Sequence, residues 1–254
     1  MNENQTSKAA GASPSGAESA DAAAHAVQRM FDDIAPRYDL LNHVLSANID
    51  RVWWRRTAKS FGHILLNPQA RILDLCCGTG DMTMALHAHR PANALPILAA
   101  DFSHQMLARG AAKFVSRHAN VVPVEADALN LPFPAAQFDL VVSAFGFRNL
   151  ADYGRGLDEI ARVLAPGGEI GILDFSEPKG LLGRLYRIYF QHVLPRIGAL
   201  LSGNRAAYEY LPASVQKFPA PAEMLTRMRE AGFAGVSWKP YSFGIAGLYR
   251  GTRR

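Results

Sequence analysis

The chain has 254 residues, 49% of them apolar and 19% charged, which is enough for one large α/β domain with a full core. It contains no run of the roughly 20 apolar residues that a membrane-spanning helix needs. A net charge of +5 is compatible with nucleic acid, an anionic cofactor or an acidic membrane surface, and does not choose among them.

Residues 1–24 are Ala, Ser, Gly and polar, with no large apolar residue after Met1. Such a segment buries too little surface to offset its chain entropy, so disorder is expected. It lacks a basic start followed by an apolar stretch, so no signal peptide is expected. Val27, Met30, Phe31 and Ile34 recur at helical spacing until Pro36. A second amphipathic stretch runs over 50–61 and carries Trp53 and Trp54.

Strand and helix signals then alternate. Residues 70–75 read as a buried strand and 82–89 as a helix. Residues 96–101 form a second strand, and Ser103 caps a helix over 104–118. Strands are expected at 121–127 and 138–145, and a helix at 154–164. A Pro166-Gly167-Gly168 turn precedes a strand at 169–175. After a mostly helical insert (180–211) come a helix at 222–231, ended by Gly232, and strands near 234–241 and 244–250. The pattern predicts one α/β domain over 25–254 with a mostly parallel sheet and helices on both faces. The two closing strands have too short a link for a parallel crossover, so they are antiparallel to each other. Ligands of such sheets bind beyond the strand C-termini where strand order reverses, which puts the chemistry just after Leu75.

Asp74-Leu75-Cys76-Cys77-Gly78-Thr79-Gly80-Asp81 follows the first strand. Gly78 and Gly80 supply two positions of a dinucleotide-binding G-x-G-x-x-G, but Thr83 occupies the third, which weakens a nicotinamide reading. Asp101 ends the second strand, placed to accept both hydroxyls of a ribose. Asp127-Ala128 follows the third, where Asp127 suits an adenine amino group or nearby backbone. Each carboxylate alone reads more simply as a cap or loop residue; the set at successive strand ends reads as a nucleoside-type site. The only cysteines, Cys76 and Cys77, are adjacent and lack a Cys-x-x-Cys partner. This points to a reducing cytoplasm and away from structural zinc.

These residues resemble the class I adenosylmethionine-dependent methyltransferases, and more narrowly the C-methyltransferases of ubiquinone and menaquinone biosynthesis. The stretches that carry the resemblance are FDDIAPRYDLLNHVLS (31–46), ILDLCCGTGD (72–81), DALNLPFP (127–134), FGFRN (145–149), RVLAPGGEIGILDFSEP (162–178), YFQHVLPRIGALLS (189–202) and YEYLPASVQKFP (208–219). The resemblance implies a Rossmann-like fold with a seven-stranded, mostly parallel sheet and an antiparallel last strand. It implies S-adenosylmethionine as cofactor, no metal, and contacts from Thr79, Asp101, Asp127 and Ala128; Asp74, Gly78, Gly80 and Phe102 are expected to line the cofactor site with them. Ala144 stands where relatives often have Ser or Gly, leaving a backbone contact there. The Cys pair occurs in some menaquinone-pathway relatives and tilts the expected substrate toward demethylmenaquinol, with the benzoquinol of ubiquinone synthesis also open.

Carbon methylation needs an electron-rich ring, so the acceptor is the reduced quinol. Arg148 is expected to act as a fixed cation at the developing oxyanion, since a guanidinium does not serve as a base. Its plain alternative is a surface ion pair. Asn149 is expected to orient the quinol hydroxyl or a water. Asp174 either lines the same cleft or caps a turn. Tyr38 and Asp39 belong to a lid formed with the N-terminal helices (27–61), or Tyr38 simply packs in the core. The insert at 181–201 mixes apolar residues with Arg184, Arg187, His192 and Arg196. It suits a prenyl groove or a membrane surface, or is an ordinary cover helix. Expected partners are thus a prenylated quinol and a transient membrane surface at the inner face of the cytoplasmic membrane; homo-oligomerisation stays open. A nucleic-acid methylase fits less well, since the segment after strand four lacks an Asn/Asp-Pro-Pro-aromatic motif and no loop offers a nucleophilic cysteine.

Overall fold

The computed structural model describes residues 11–12, 19–35, 48–178, 180, 183 and 205–254. Tyr38, Asp39 and the basic-apolar stretch at 181–201 lie outside the described residues, apart from the single position 183.

The seven strands are β1 (Ile72–Leu75), β2 (Ile97–Asp101), β3 (Val121–Glu125), β4 (Phe138–Ala144), β5 (Leu164–Phe175), β6 (Phe233–Tyr241) and β7 (Ala246–Arg253), ordered β3-β2-β1-β4-β5-β7-β6. β1, β2, β3, β4 and β5 pair in parallel; β7 runs antiparallel to both β5 and β6. Every residue of the central strand β1 is buried, as expected for a strand covered on both faces. The two edge strands each carry a proline, Pro123 and Pro240. An edge is where a missing amide donor is tolerated.

The helices are α1 (Ala20–Ile34), α2 (Ile49–Ser60), α3 (Gly62–Leu65), α4 (Asp81–His87), α5 (His104–Ser116), α6 (Tyr153–Val163), α7 (Arg205–Lys217) and α8 (Pro221–Glu230). On one face of the sheet, Leu73, Val141, Ile170 and Tyr249 pack against Leu157 and Ile160 of α6 and Met224 and Met228 of α8. On the other, Ile72, Leu140, Val142 and Leu173 pack against Trp53 and Ala58 of α2, Phe61, and Met82 and Leu86 of α4. Strand alternation sends neighbouring residues to opposite faces, so one short run such as Ile72-Leu73 serves both cores.

Two boundaries differ from the sequence reading. The helix expected from Val27 begins at Ala20, where the Ser19 hydroxyl accepts the Ala22 amide at 3.1 Å. The Ala-rich stretch, read as disordered, has the highest intrinsic helix propensity, and Ala23 and Val27 are buried. The Pro166-Gly167-Gly168 turn is absorbed into β5 as a bulge: Phe138 pairs with Leu164, but Leu140 with Glu169. Gly167 supplies the left-handed φ of +79° that the bulge requires.

Candidate active site

Strand order reverses at β1, which has β2 on one side and β4 on the other. The loop leaving β1 turns sharply: Cys76, Gly78 and Gly80 all have left-handed φ, at +54°, +55° and +85°. The Cys77 amide donates to the Ala100 carbonyl at 3.0 Å and the Gly80 amide to Cys77 at 2.9 Å, so the turn is pinned to β2 and feeds α4. A β-carbon at Gly80 would stand 2.3 Å from the Phe114 ring, whereas one at Gly78 would meet open space. Gly80 is therefore needed for packing, while Gly78 keeps the backbone bare toward the crevice. Both cysteines are free thiols, and burial pushes each well above its ordinary range. Thiols raised in this way stay protonated at neutral pH, which suits a role in shaping the turn.

Asp74 is fully buried. Its Oδ2 accepts the Thr83 hydroxyl at 2.5 Å, and its Oδ1 has no hydrogen-bond partner among the described residues. Burial pushes this carboxyl up to about 7, with the Thr83 bond opposing. Thr83, which only counted against a dinucleotide motif in the sequence, is thus the residue that orients Asp74. The signal was available: a hydroxyl in the first turn of a helix, nine residues after the acid.

Asp101 accepts the Gly78 amide at 2.7 Å through Oδ2 and the Ser103 amide at 2.8 Å through Oδ1. Each oxygen keeps lone-pair capacity for a further donor. Ser103 caps α5 as expected, accepting from Met106, and donates its own proton to Asp32 at 2.5 Å. The Phe102 carbonyl accepts from Gln28 at 2.8 Å. Through Gln28 and Asp32, α1 lies against the end of β2, a contact with no sequence signal. Asp127 accepts the Leu129 amide at 2.9 Å, and Ala128 is buried beside it. The buried Thr79 hydroxyl faces Lys113 at 3.5 Å, and Lys113 pairs with Asp81 at 2.8 Å. Ala144 ends β4, half-buried.

The FGFRN segment follows β4. Phe145 has φ +59°, and its amide donates to Leu173 at 2.7 Å. Arg148 is buried, not on the surface. Its amide donates to Asp174 Oδ2 at 3.0 Å and its Nη1 to Asp174 Oδ1 at 3.0 Å. Nη1 also donates to the Phe145 carbonyl, while Nε has no partner among the described residues. Asp174 holds the turn after β4 through the Arg148 amide, as one of its two readings expected, and is at the same time the fully buried counter-ion of the Arg148 side chain. Burial still pushes its carboxyl up, against the Arg148 charge. The Asn149 oxygen accepts from Tyr210 of α7 at 3.2 Å, and the buried Tyr153 hydroxyl donates to the Arg148 carbonyl at 3.0 Å. Burial pushes the Tyr210 hydroxyl up to about 12. Neither tyrosine stood out in the sequence: Tyr210 reaches its partner across 61 residues through the fold, while Tyr153 bonds a backbone carbonyl five residues back, which no side-chain pattern marks.

Three aromatic rings complete this end of the crevice. Phe145 and Phe175 lie 4.6 Å apart between centroids, with Trp53 5.8 Å from Phe145 and 6.2 Å from Phe175. The Arg148 guanidinium sits 5.2 Å from the Phe175 ring. Gly146 joins this segment to the first loop: a β-carbon there would lie 2.3 Å from Cys76 Cβ. Gly146→Ala is expected to destabilise the fold by about 1–3 kcal/mol and to weaken cofactor binding, because it pushes two crevice walls apart. Thermal unfolding with and without cofactor checks this; an unchanged transition and affinity would show that the walls are not coupled.

The residues present fit an adenosylmethionine. Asp74 Oδ1 is a buried acceptor awaiting a donor, Gly78 leaves room beside the backbone, and Asp101 and Asp127 stand at successive strand ends. Among the described residues, no cluster of His, Cys, Asp and Glu is arranged to hold a metal ion. Residues 19–253 match the ubiE/COQ5 methyltransferase family. The chain is 48% identical to the demethylmenaquinone methyltransferase of Deinococcus radiodurans, covering 90% of this chain and 93% of that one. It is 42% identical to the ubiquinone/menaquinone biosynthesis C-methyltransferase UbiE of Geobacter sulfurreducens, over 89% and 88%. Its fold is shared with a SAM-dependent methyltransferase of Thermotoga maritima at a TM-score of 0.60 and 19% identity, over 89% and 99%. The chain belongs to the ubiE/COQ5 methyltransferase family, with S-adenosylmethionine as its methyl donor.

Proposed function

We propose that the chain methylates a ring carbon of a prenylated quinol, demethylmenaquinol first, with the 2-polyprenyl-6-methoxybenzoquinol of ubiquinone synthesis as a second acceptor. The observation that carries this reading is the buried Arg148–Asp174 pair set beside the Trp53, Phe145 and Phe175 rings at the ends of β4 and β5. A flat aromatic acceptor stacks on such rings, and a fixed cation favours the oxyanion form that makes its ring carbon nucleophilic. The relatives' names support the same acceptor class.

When bound, S-adenosylmethionine supplies an electrophilic sulfonium methyl. In this reading Asp74, Gly78, Thr79, Gly80, Asp101, Phe102, Asp127, Ala128 and the Ala144 backbone hold it at the crevice. Alignment of methyl and ring carbon is the main catalytic contribution, worth about 7–11 kcal/mol in well-oriented systems. Arg148 stabilises the phenolate left when the quinol hydroxyl loses its proton, and Asn149, oriented by Tyr210, positions that hydroxyl or a water. The hydroxyl and ring protons pass to water and one returns to the oxygen, so methyl transfer releases one net proton and leaves an aromatic, methylated quinol. The enzyme works in the cytoplasm with transient contact to the membrane that holds its substrate; among the described residues no helix is long and apolar enough to cross it.

The test is methyl transfer from labelled S-adenosylmethionine to chemically reduced demethylmenaquinol and to the matching demethylated benzoquinol. Product with the naphthoquinol alone assigns a menaquinone enzyme, and product with both a shared one. No product with either, despite measurable cofactor binding, overturns the acceptor class. In the same assay Asp101→Ala is expected to weaken cofactor binding at least about tenfold, the loss of two charge-assisted ribose bonds. Unchanged binding would remove Asp101 from the cofactor site.

A further inference from the structure

We propose that the N-terminal half of α2 and the turn after β6 together form a docking surface for an anionic lipid bilayer, next to the crevice. The inference rests on the lipid-soluble substrate proposed above. Large apolar side chains exposed among the described residues are mostly isolated, but three gather here. Phe243 is 88% exposed, Ile49 44% and Val52 41%. The two segments are joined: Trp53 Nε1 donates to the Ser242 hydroxyl at 2.9 Å, and the Arg56 guanidinium lies 4.4 Å over the Tyr241 ring. Ile49 stands one helical turn before Trp53, and Val52 one turn before Arg56, so both apolar residues share the side of α2 that meets the turn.

The backbone presents Phe243 at a cost. Ser242 and Phe243 have left-handed φ of +46° and +59°, which costs of order 1–3 kcal/mol for a side chain with a β-carbon. A buried ring would offset that cost; this ring instead faces solvent. Charge completes the pattern. The exposed residues of α2 include Arg51, Arg55, Arg56 and Lys59, and its one acidic residue, Asp50, is buried. One exposed carboxylate, Glu177, adjoins the turn, because Ser176 bonds Ile245 and Gly244. The exposed cations of α2 outnumber it, and apolar residues flanked by net positive charge complement a surface of acidic headgroups over acyl chains. The surface also adjoins the crevice: Trp53, which holds the turn, contacts Phe145 and Phe175. A prenylated ring leaving the bilayer here meets a continuous aromatic wall leading to Arg148.

The full-length protein should co-sediment with vesicles of phosphatidylcholine and phosphatidylglycerol, more weakly in high salt, and far less with phosphatidylcholine alone. Arg51→Glu/Arg55→Glu should reduce binding at least about 25-fold, about fivefold for each cation lost. Phe243→Asn keeps a residue that tolerates left-handed φ and should also reduce binding, without lowering the unfolding temperature. Both variants should retain wild-type methyl transfer to a short-tailed, water-soluble quinol and lose it selectively for a long-tailed quinol embedded in vesicles. The proposal fails if the wild type ignores anionic vesicles, if the variants bind them as well as wild type, or if the variants also lose turnover on the soluble quinol. Vesicle binding is read without catalysis. A chain that docks as described yet methylates neither quinol would retire the acceptor assignment and keep the surface.

Discussion

Asp174→Ala is expected to lower the unfolding free energy by about 3–5 kcal/mol, the usual cost of removing one partner from a buried ion pair. Asp174 is fully buried and accepts the Arg148 amide, Arg148 Nη1 and, at 2.9 Å, the Phe175 amide. Without it, a guanidinium stays buried with no counter-charge and two amides lose their acceptor. At about 2–4 °C per kcal/mol for a chain of this size, the unfolding midpoint should fall by roughly 6–20 °C. Methyl transfer should fall further than stability alone explains, because Asp174 also fixes where the Arg148 charge sits. The double variant Asp174→Ala/Arg148→Met separates these effects. Removing both charges should restore much of the stability while activity stays lost. A double variant that recovers turnover along with stability would reduce Arg148 to a structural role, and an unchanged midpoint in Asp174→Ala would deny the pair its place in the fold.

The same pair changes what a truncation of Arg148 reports. Read from sequence as a fixed cation beside the acceptor, Arg148 could be removed with cofactor binding nearly intact and turnover lowered. In the structure, Arg148→Ala strands the Asp174 carboxylate in the core, so lost turnover would mix chemistry with misfolding. Arg148→Lys, which keeps the charge but not the planar fork, is the sharper probe.

Legibility followed the range of the interaction. Strand and helix periodicity is local, so the alternating sheet and its two antiparallel closing strands could be read off directly, as could the Ser103 cap and the Gly-rich turn. Carboxylates at the ends of β1, β2 and β3 were legible because a parallel sheet carries all its strand ends to one edge. Arg148 and Asp174 were each marked by position at a strand end, but not as partners. They are 26 residues apart, and their pairing depends on β4 and β5 lying side by side. Tyr210 and Asn149 are 61 apart and meet only because α7 crosses the loop after β4. The start of α1 was missed for the opposite reason: an Ala-rich run is polar enough to read as disordered, yet it needs only a cap and one buried stripe to become helix.

Asp74 makes the cofactor site measurable through pH. Its carboxyl rises from 3.8 to about 7 because burial disfavours the charged form. Between those values the folded chain binds more protons than the unfolded one, so stability is fully present below pH 3.8 and is lost as pH climbs toward 7. Three units correspond to about 4 kcal/mol. In Asp74→Asn the side chain cannot ionise and the Thr83 hydroxyl still finds an acceptor, so this part of the slope should vanish. Denaturant unfolding of both proteins at pH 5 and pH 8 should therefore show a larger drop in the wild type. Cofactor should act in the opposite sense. Its ammonium, donating to the unpartnered Asp74 Oδ1, would hold the carboxylate ionised, so wild-type affinity should rise as pH passes about 7. The Asn variant should bind at least about tenfold more weakly at pH 8 and show no such rise. Parallel pH profiles in the two proteins, with equal affinities, would mean that Asp74 is a packed structural acid and that another group receives the cofactor's ammonium.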